Sequence, residues 1–444
     1  MSKVVTRFAP SPTGLLHSGN YRTAVFAYLF AKKHDGEFLV RIEDTDRARS
    51  KVEYEDNIFE TLQWLDFQSD REISRSSDRI DRHKEMLTKL IAEDFAYVSH
   101  EPKKDDADQM VDVVRFRNPG TTVTFHDEIR GDITFDTTEH GDFVVARAVD
   151  DPLFHFAVIV DDGDAGVTHV VRGEDHISNT PRQILIQQAL GYSVPVYAHL
   201  PLILGSDRTK MSKRKGAKAL THYRDMGILP EAMLNYLALL GWNPGDDREY
   251  LSREELVDAF DLSRVQKGSA IFDEVKLLSV NQHWMRKLSD QEFIERGQLT
   301  GLDNAKLLKA VPLLKERAHT FTEAREMLAG ELSCLFIVPA LDQKALVAKE
   351  PADRTGLTKT ALEGVLEAVK ALPDGVSAEA VKDTLMPLAD AEEAKGKGGR
   401  GGVLWPLRYA LSGQERSPDP FTLISILGRE EAVSRIQKAI AILS

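Results

Sequence analysis

The sequence comprises 444 residues, with a formal net charge of −13, 42% hydrophobic residues and one cysteine, Cys334. One cysteine excludes an intramolecular disulfide and a cysteine-rich zinc site, so we expect Cys334 to pack in a core. No run of about 18 apolar residues and no basic start followed by an apolar stretch is found, which predicts a cytoplasmic protein without a membrane span or secretory signal. The acidic balance argues only weakly against nucleic acid as a partner, because a basic face can lie on an acidic protein.

The first 95 residues alternate between predicted strands and predicted helices. The apolar runs VVTRFA and FLVRIED predict buried strands. The stretches NYRTAVFAYLFAKKH, YEDNIFETLQWL and RHKEMLTKLIAED show the three-and-four spacing of helices. Alternation of this length predicts a parallel sheet with crossover helices.

The pattern changes from about Ala96 to Pro152. The stretch VVRFRNPGTTVTFHDEIRGDITFD alternates at period two and contains turn residues, which predicts antiparallel strands. The following stretch, FVVARAVDDPLFHFAVIVDDGDAGVTHVVRGEDH, has strand character, and SNTPRQILIQQALG predicts a helix that begins behind Asn179. The simplest architecture is a nucleotide-binding fold interrupted by a small inserted domain. From Gly216 onward the pattern is mainly helical.

The loop after the first predicted strand, RFAPSPTGLLHSGN from Arg7 to Asn20, is stiff. Ligands of open parallel sheets bind beyond the carboxyl ends of the strands, and a helix that begins near Gly19 would direct its free N–H groups there. Prolines replace the glycines of phosphate-wrapping loops, so a rigid turn is predicted in which His17 and Asn20 act as donors. A stiff loop with an incidental histidine is the alternative.

The stretch RTKMSKRKG, from Arg208 to Gly216, is strongly basic. One interpretation is a solvated basic loop or a nucleic-acid patch. The other is a mobile loop in which Lys210 and Lys213 close over a triphosphate and neutralise the charge that develops in phosphoryl chemistry.

Together, HSGN and KMSKR resemble the HIGH and KMSKS signatures of class I aminoacyl-tRNA synthetases. The strings APSPTG, RIEDTD, VDD, VRGEDHISNTPRQ and WPLRYALSG resemble bacterial-type glutamyl-tRNA synthetases in particular, and they occur in order along nearly the whole chain. The resemblance implies an α/β fold with a Rossmann-like parallel sheet. An inserted α+β domain would bind the tRNA acceptor end, and an all-helical C-terminal region would bind the anticodon.

The resemblance also implies domain bounds. The catalytic domain is expected over 1–95 and 153–215, and the inserted acceptor-end-binding domain over 96–152. A helical domain that contacts the tRNA stem is expected over 216–289, and the anticodon-binding domain over 290–444.

The reaction implied by the resemblance has two steps. The carboxylate of glutamate attacks the α-phosphate of ATP and displaces pyrophosphate, and the adenylate then acylates the terminal adenosine of tRNA(Glu). ATP with Mg²⁺ is therefore the expected cofactor. His17 and Lys213 are expected to stabilise the phosphate in the transition state. The other residues expected around the nucleotide are Thr13, Gly19, Asn20, Asp175, His176, Lys210 and Ser212.

A site for glutamate needs cations for two carboxylates and an anion for the ammonium group. By resemblance, Arg7 and Arg172 match the carboxylate-binding positions, where the guanidinium fork pairs both oxygens. Glu43 matches the position that faces the ammonium group. The site is completed by Ala9, Ser11 and Phe154. Phe154 stands where the family commonly has tyrosine, so a hydroxyl contact to the substrate is absent or supplied elsewhere.

Contacts to tRNA are expected at two places. Asp46 and Arg49 would face the acceptor end, and Trp405 and Arg408 would stack on and bond to anticodon bases. For Trp405, packing in the core is an equal alternative. For Asp44, which lies between Glu43 and Asp46, capping of the next helix is an equal alternative.

The sequence also leads to expectations about bound metal and oligomeric state. The short insert contains the single histidine His100 and no cysteine, so no zinc is expected. We expect a monomer without membrane association, and charging of tRNA(Gln) besides tRNA(Glu) remains open.

Three other functions compete with this one. A truncated relative that glutamylates a modified tRNA base lacks the helical C-terminal region. Glutaminyl-tRNA synthetase has a β-barrel in its C-terminal half. An inactive tRNA-binding paralogue would carry damage to the two signatures, whereas His17, Lys210 and Lys213 are all present.

Overall fold

The structure is a computed structural model that describes residues 3–103, 106–138, 141–211, 218–347, 354–394 and 399–444. The chain forms two compact units, and the division falls between Asn281 and Gln282. No helix among the described residues is long and apolar enough to cross a membrane.

The strands are β1 (Val5–Phe8), β2 (Glu37–Ile42), β3 (Ser74–Arg75), β4 (Ala96–Lys103), β5 (Asp106–Phe116), β6 (Thr122–Asp127), β7 (Gly131–Asp136), β8 (Phe143–Ala148), β9 (Asp151–Pro152), β10 (His169–Gly173), β11 (Val196–Leu200), β12 (Ile203–Leu204) and β13 (Ala270–Ile271).

The helices are α1 (Ser18–Lys33), α2 (Val52–Trp64), α3 (Ile80–Ala92), α4 (Phe154–Ala165), α5 (Thr180–Leu190), α6 (Leu220–Asp225), α7 (Pro230–Leu239), α8 (Arg253–Ala259), α9 (Glu274–Lys287), α10 (Asp290–Arg296), α11 (Asn304–Arg317), α12 (Phe321–Ala329), α13 (Gln343–Leu346), α14 (Arg354–Lys370), α15 (Ala378–Ala394), α16 (Gly401–Ser412), α17 (Pro420–Leu427) and α18 (Arg429–Ile442).

The N-terminal unit is built around parallel strands, as the alternation of its first 95 residues predicts. β1 pairs in parallel with β2, and β2 with β3. β10 pairs in parallel with β11. Val5 joins the two groups, because its carbonyl accepts a hydrogen bond of 3.0 Å from the Thr168 N–H, just before β10. The carboxyl ends of β1 and β10 therefore open on the same edge, where ligands of such sheets bind.

Helix α4 corrects the expectation of strand character through this region. The run from Phe156 to Asp162 is buried on every side, so its apolar residues show no amphipathic spacing. A short run of this kind can form either a buried strand or a buried helix. Gly166, at φ 69°, ends the helix in the left-handed conformation.

The antiparallel strands predicted after Ala96 are confirmed, but they divide between two sheets. β4, β5, β8 and β9 form one sheet. The hairpin of β6 and β7 instead joins β11, with Asp127 opposite Tyr197. Part of the segment between 96 and 152 therefore extends the sheet of β10 and β11. The domain bounds remain predictions.

The C-terminal unit is helical, as predicted. Among its described residues, α10 to α18 are joined by turns, and no strand occurs. Cys334 lies buried in this unit, as expected, and burial raises the pKa of its thiol to about 11. A β-barrel in the second half of the chain, the feature expected of the glutamine relative, is absent from the described residues.

Candidate active site

A pocket of about 600 Å³ opens at the carboxyl ends of β1 and β10. It is lined by the loop after β1, by the first turn of α1, by the end of β10 and by the residues after β12. Thirteen of the residues predicted for ATP or glutamate line it together: Arg7, Ala9, Ser11, Thr13, His17, Gly19, Asn20, Glu43, Phe154, Arg172, Asp175, His176 and Lys210. The sequence prediction therefore selected residues that are distant in the chain and adjacent in space.

The start of α1 is fixed by His17, which caps the helix with its own side chain. Nδ1 of His17 accepts the Gly19 N–H at 3.1 Å, and Oδ1 of Asn20 accepts the His17 N–H at 3.2 Å. Because Nδ1 is an acceptor, the proton of the neutral imidazole is on Nε2. A Cβ on Gly19 would lie 2.9 Å from Cε1 of His17, so a larger residue there would displace the imidazole that caps the helix. The pocket thus receives a helix N-terminus and an imidazole N–H, both suited to phosphate.

A buried ionic network reaches the pocket lining through Arg7 and Glu43. Nε of Arg7 lies 3.2 Å from Oδ2 of Asp162, and Nη2 of Arg41 lies 2.7 Å from Oδ1 of Asp162 and 2.9 Å from Oε1 of Glu43. Burial would raise the pKa of Asp162, but the two arginines hold it below its ordinary value. Burial raises the pKa of Glu43 to about 7 against the opposing charges of Arg41 and Arg7.

Arg172 lies beside this network with a different environment. Its guanidinium is buried, and it donates to Gln183 and Thr180, both neutral, at 2.7 Å. Burial lowers its pKa to about 10, so the group stays charged at neutral pH. The guanidinium lies 5.1 Å from the ring centre of Tyr197. A cation held by neutral partners is a site for an incoming anion.

The pocket lining also contains aromatic and imidazole groups. The rings of Phe154 and His176 lie 6.1 Å apart. Burial and the nearby charge of Arg172 lower the pKa of His176 to about 4, so the imidazole is neutral at physiological pH. Phe154 begins α4 and contributes an apolar face to the pocket.

The basic loop is described only at its beginning. Nζ of Lys210 lies 3.3 Å from Oδ2 of Asp175, and both side chains are about half exposed, at 55% and 50%. Sδ of Met211 lies 3.7 Å from the hydroxyl of Ser18, which places the start of the loop against the start of α1. Ser212 and Lys213 lie outside the described residues.

The acidic residues after β2 divide between the pocket and the surface. Asp44 accepts the Ser77 N–H at 2.8 Å, so it caps the 3₁₀ turn of Ser76–Arg79 instead of α2. Asp46 and Arg49 form an exposed ion pair of 2.6 Å and do not line the pocket. Their predicted contact with tRNA stays a prediction.

In the C-terminal unit, Trp405 and Arg408 lie one above the other on α16. Nε1 of Trp405 donates to the carbonyl of Ala345 at 3.0 Å. The guanidinium of Arg408 lies 4.7 Å from the Trp405 ring centre and donates to the carbonyl of Glu415 at 2.8 Å. Both side chains are half-buried and hold α16 to neighbouring segments, so a tRNA contact by either remains a prediction.

The sequence did not predict the buried residues that contact Arg7, Glu43 and Arg172. Arg41 and Asp162 lie in the strings RIEDTD and VDD, and their charge in an apolar strand and helix was the available signal. The partners of Arg172 left no such signal.

Among the described residues, no group of three His, Cys, Asp or Glu side chains could hold a metal ion. His100 instead pairs with Asp112 at 2.7 Å. The expected absence of zinc stays a prediction.

Two family models together match nearly the whole chain. The family model for tRNA synthetases class I (E and Q), catalytic domain, matches residues 3–105 and 99–279, and the model for an anticodon binding domain matches 279–440. The chain is 38% identical to a glutamate–tRNA ligase of Carboxydothermus hydrogenoformans, over 98% of this chain and 99% of that protein. It is 36% identical to glutamate–tRNA ligase 1 of Syntrophus aciditrophicus, over 99% and 98%.

A solved structure gives the same result. The crystal structure of a glutamate tRNA ligase from Elizabethkingia meningosepticum in complex with its amino acid covers 100% of both chains, with a TM-score of 0.84 and 30% identity.

The chain belongs to the class I aminoacyl-tRNA synthetases, in the branch that handles glutamate and glutamine. Within that branch its full-length relatives are glutamate–tRNA ligases, and the ATP-dependent joining of glutamate to tRNA is its activity.

Proposed function

We propose that this pocket forms glutamyl adenylate from glutamate and MgATP and then transfers the glutamyl group to the 3′-terminal adenosine of tRNA(Glu). The observation that supports it best is the pairing of two unlike ends within one pocket. The capped N-terminus of α1 is suited to phosphates, and the buried Arg7 and Arg172 are suited to a dicarboxylate.

In the first step, one oxygen of the glutamate carboxylate forms a bond to the α-phosphorus, and the bond to the pyrophosphate oxygen breaks. No protein nucleophile is required, so the residues act by positioning and by charge. Nε2–H of His17 and the N–H groups at the start of α1 would donate to the phosphate oxygens. Lys210 and Lys213 would add positive charge from the basic loop. The other groups proposed around the nucleotide are Thr13, Gly19, Asn20, Asp175, His176 and Ser212.

The amino-acid end would hold glutamate by opposite charges. Arg7 and Arg172 would pair with the carboxylates, and Glu43 would accept from the ammonium group. Asp162 would keep Arg7 and Arg41 charged and oriented. Contact surface would come from Ala9, Ser11 and Phe154.

In the second step, the 2′-hydroxyl of the terminal adenosine attacks the carbonyl carbon and releases AMP. We propose that 96–152 holds the acceptor end near Asp46 and Arg49, that 216–289 contacts the stem, and that 290–444 reads the anticodon near Trp405 and Arg408. The catalytic core would comprise 1–95 and 153–215. The enzyme would act in the cytoplasm as a monomer, without structural zinc.

The test is aminoacylation with labelled glutamate on tRNA(Glu) and tRNA(Gln) transcripts. We expect an alkali-labile ester on tRNA(Glu), abolished when periodate has oxidised the 3′-terminal ribose. No labelling of the transcripts, which carry no modified base, together with labelling of tRNA isolated from cells would contradict the proposal and favour the base-modifying relative. Equal charging of tRNA(Gln) would widen the substrate range without changing the chemistry.

A further inference from the structure

Three neutral acceptors orient the guanidinium of Arg172. Its Nε–H donates to Nε2 of His199 at 3.0 Å, Nη1 donates to Oε1 of Gln183 at 2.7 Å, and Nη2 donates to Oγ1 of Thr180 at 2.7 Å. A guanidinium has five N–H groups. With these described partners, one N–H on each terminal nitrogen remains, and two such N–H groups can bind a carboxylate.

His199 can accept from Arg172 in only one tautomer. Arginine is always protonated, so Nε2 of His199 must be without a proton, and the ring proton must be on Nδ1. Nδ1 lies 2.7 Å from Oδ2 of Asp127, which accepts that proton in a hydrogen bond. Both side chains are fully buried.

Each described hydrogen bond to the carboxylate of Asp127 comes from an N–H donor. Its Oδ1 accepts the N–H groups of Ile129 at 3.0 Å and Arg130 at 2.8 Å. Its Oδ2 accepts the backbone N–H of His199 at 3.0 Å as well as the ring proton. Burial would raise the pKa of this carboxyl, but the hydrogen bonds hold it below its ordinary value.

Burial and the charge of Arg172 lower the pKa of His199 against the effect of Asp127. The pair is therefore a carboxylate and a neutral imidazole at physiological pH, the combination in which Nε2 accepts.

We propose that Asp127 and His199 are positioning residues for substrate glutamate, acting through Arg172. Asp127 fixes the tautomer of His199, and His199 fixes the rotation of the guanidinium, so that its remaining N–H pair faces the pocket. This proposal rests on the proposed role of Arg172 in glutamate binding. Asp127 ends β6, whose hairpin joins the sheet at β11, the strand of His199. The hairpin from Thr122 to Asp136 thus contributes to amino-acid recognition.

Asp127→Asn tests the relay. Both oxygens of Asp127 accept hydrogen bonds, so the amide of the variant must place its NH₂ group where an acceptor is needed. In one orientation the NH₂ group faces the N–H groups of His199, and in the other it faces those of Ile129 and Arg130. We expect the KM for glutamate in ATP–pyrophosphate exchange to rise about 10- to 100-fold, while the KM for ATP changes less than about threefold. His199→Phe, which removes the acceptor, should act similarly. His199→Gln, whose amide oxygen can replace Nε2, should recover part of the loss.

A matched control lies on the same hairpin. His126 and Asp132 form an exposed pair of 2.6 Å, so Asp132→Asn makes the same chemical change away from the pocket. We expect it to leave both KM values unchanged.

¹⁵N spectra of histidine-labelled protein provide a readout that packing alone would not move. The His199 signal, identified by its loss in His199→Gln, should report the Nδ1–H tautomer in the wild type and lose it in Asp127→Asn.

The outcomes separate cleanly. If Arg172→Lys raises the glutamate KM while Asp127→Asn and His199→Phe leave it unchanged, the relay is wrong and the role of Arg172 stands. If Arg172→Lys also leaves it unchanged, the proposed function of Arg172 fails. Equal rises for glutamate and ATP would indicate a merely structural pair. Should Asp127→Asn fail to fold, the ratio of glutamate KM values for His199→Phe and His199→Gln decides, and equal values would overturn the relay.

Discussion

At the end of the pocket proposed to bind the amino acid, Arg7, Arg41 and Asp162 are buried and joined by contacts of 2.7 to 3.2 Å. At the nucleotide end, Lys210 and Asp175 are about half exposed and joined by one contact of 3.3 Å. A buried network fixes its groups before the substrate arrives, because an unpaired buried charge is costly. An exposed pair contributes little to stability and can rearrange around a substrate. Selection of glutamate is therefore expected to depend on the buried network. The rate of adenylate formation is expected to depend on the exposed end with Lys210 and Asp175.

The largest effect is expected for His17→Ala. Removal of the Nε2–H donor from the developing phosphate charge should lower the rate of ATP–pyrophosphate exchange by about 10²–10³ at saturating substrates. Lys213→Ala should act similarly. His100→Ala, at an exposed histidine of β4, is the matched control and should retain full activity. Exchange at the normal rate in His17→Ala would remove the imidazole from the mechanism.

Arg172→Lys should change the KM for glutamate, whereas His17→Ala should change the exchange rate at saturating substrates. An ammonium group cannot reproduce the fork that binds a carboxylate, so the KM for glutamate should rise roughly 10- to 100-fold with little change for ATP. Arg182→Lys makes the same change at an exposed arginine on α5 and should leave both values unchanged. A rise for ATP alone would assign Arg172 to the nucleotide end.

Glu43 gives a pH test of the buried end. Its pKa is raised to about 7, so the carboxylate is present above that pH and is lost as the pH falls through it. The ammonium group then loses its partner, and kcat/KM for glutamate should fall about tenfold per pH unit below the pKa. Glu43→Gln should abolish this dependence and lower kcat/KM at pH values where the carboxylate is ionised. A pH-independent kcat/KM in the wild type would contradict the assignment.

The smallest effect is expected outside the pocket. Arg408→Ala should raise the KM for tRNA(Glu) about fivefold, since one base contact at the weak end of its range is worth about 1 kcal/mol, and should leave glutamate activation at saturating tRNA nearly unchanged. Thermal unfolding provides the control, because Arg408 also donates to the carbonyl of Glu415. A lower melting temperature with an unchanged KM would make Arg408 purely structural.

The sequence predicted the parts of the fold that depend on local patterns. The apolar strand β1, the stiff loop and the polar residues at the start of α1 are contiguous, so spacing and capping suffice to predict them. Helix α4 was mistaken for a strand because Phe156–Asp162 is buried on all sides. Residues of the pocket were predicted through family motifs, which place distant segments together without a geometric argument.

The partners of those residues could not be predicted. Asp127 and His199 are 72 residues apart, and their contact depends on one register, Asp127 opposite Tyr197. A histidine in a strand and an aspartate at a turn are ordinary surface patterns, and only the folded sheet makes them a buried pair. For the same reason, the sequence did not predict that the β6–β7 hairpin pairs with β11.

We propose that the buried arginines select a second carboxylate on the amino acid. The most direct measurement is kcat/KM for glutamate and for glutamine in ATP–pyrophosphate exchange, with tRNA(Glu) present. Glutamine replaces one carboxylate by an amide and would leave a buried guanidinium without its anion, so we expect a preference for glutamate of at least about 10²-fold. Comparable values for the two amino acids would contradict it.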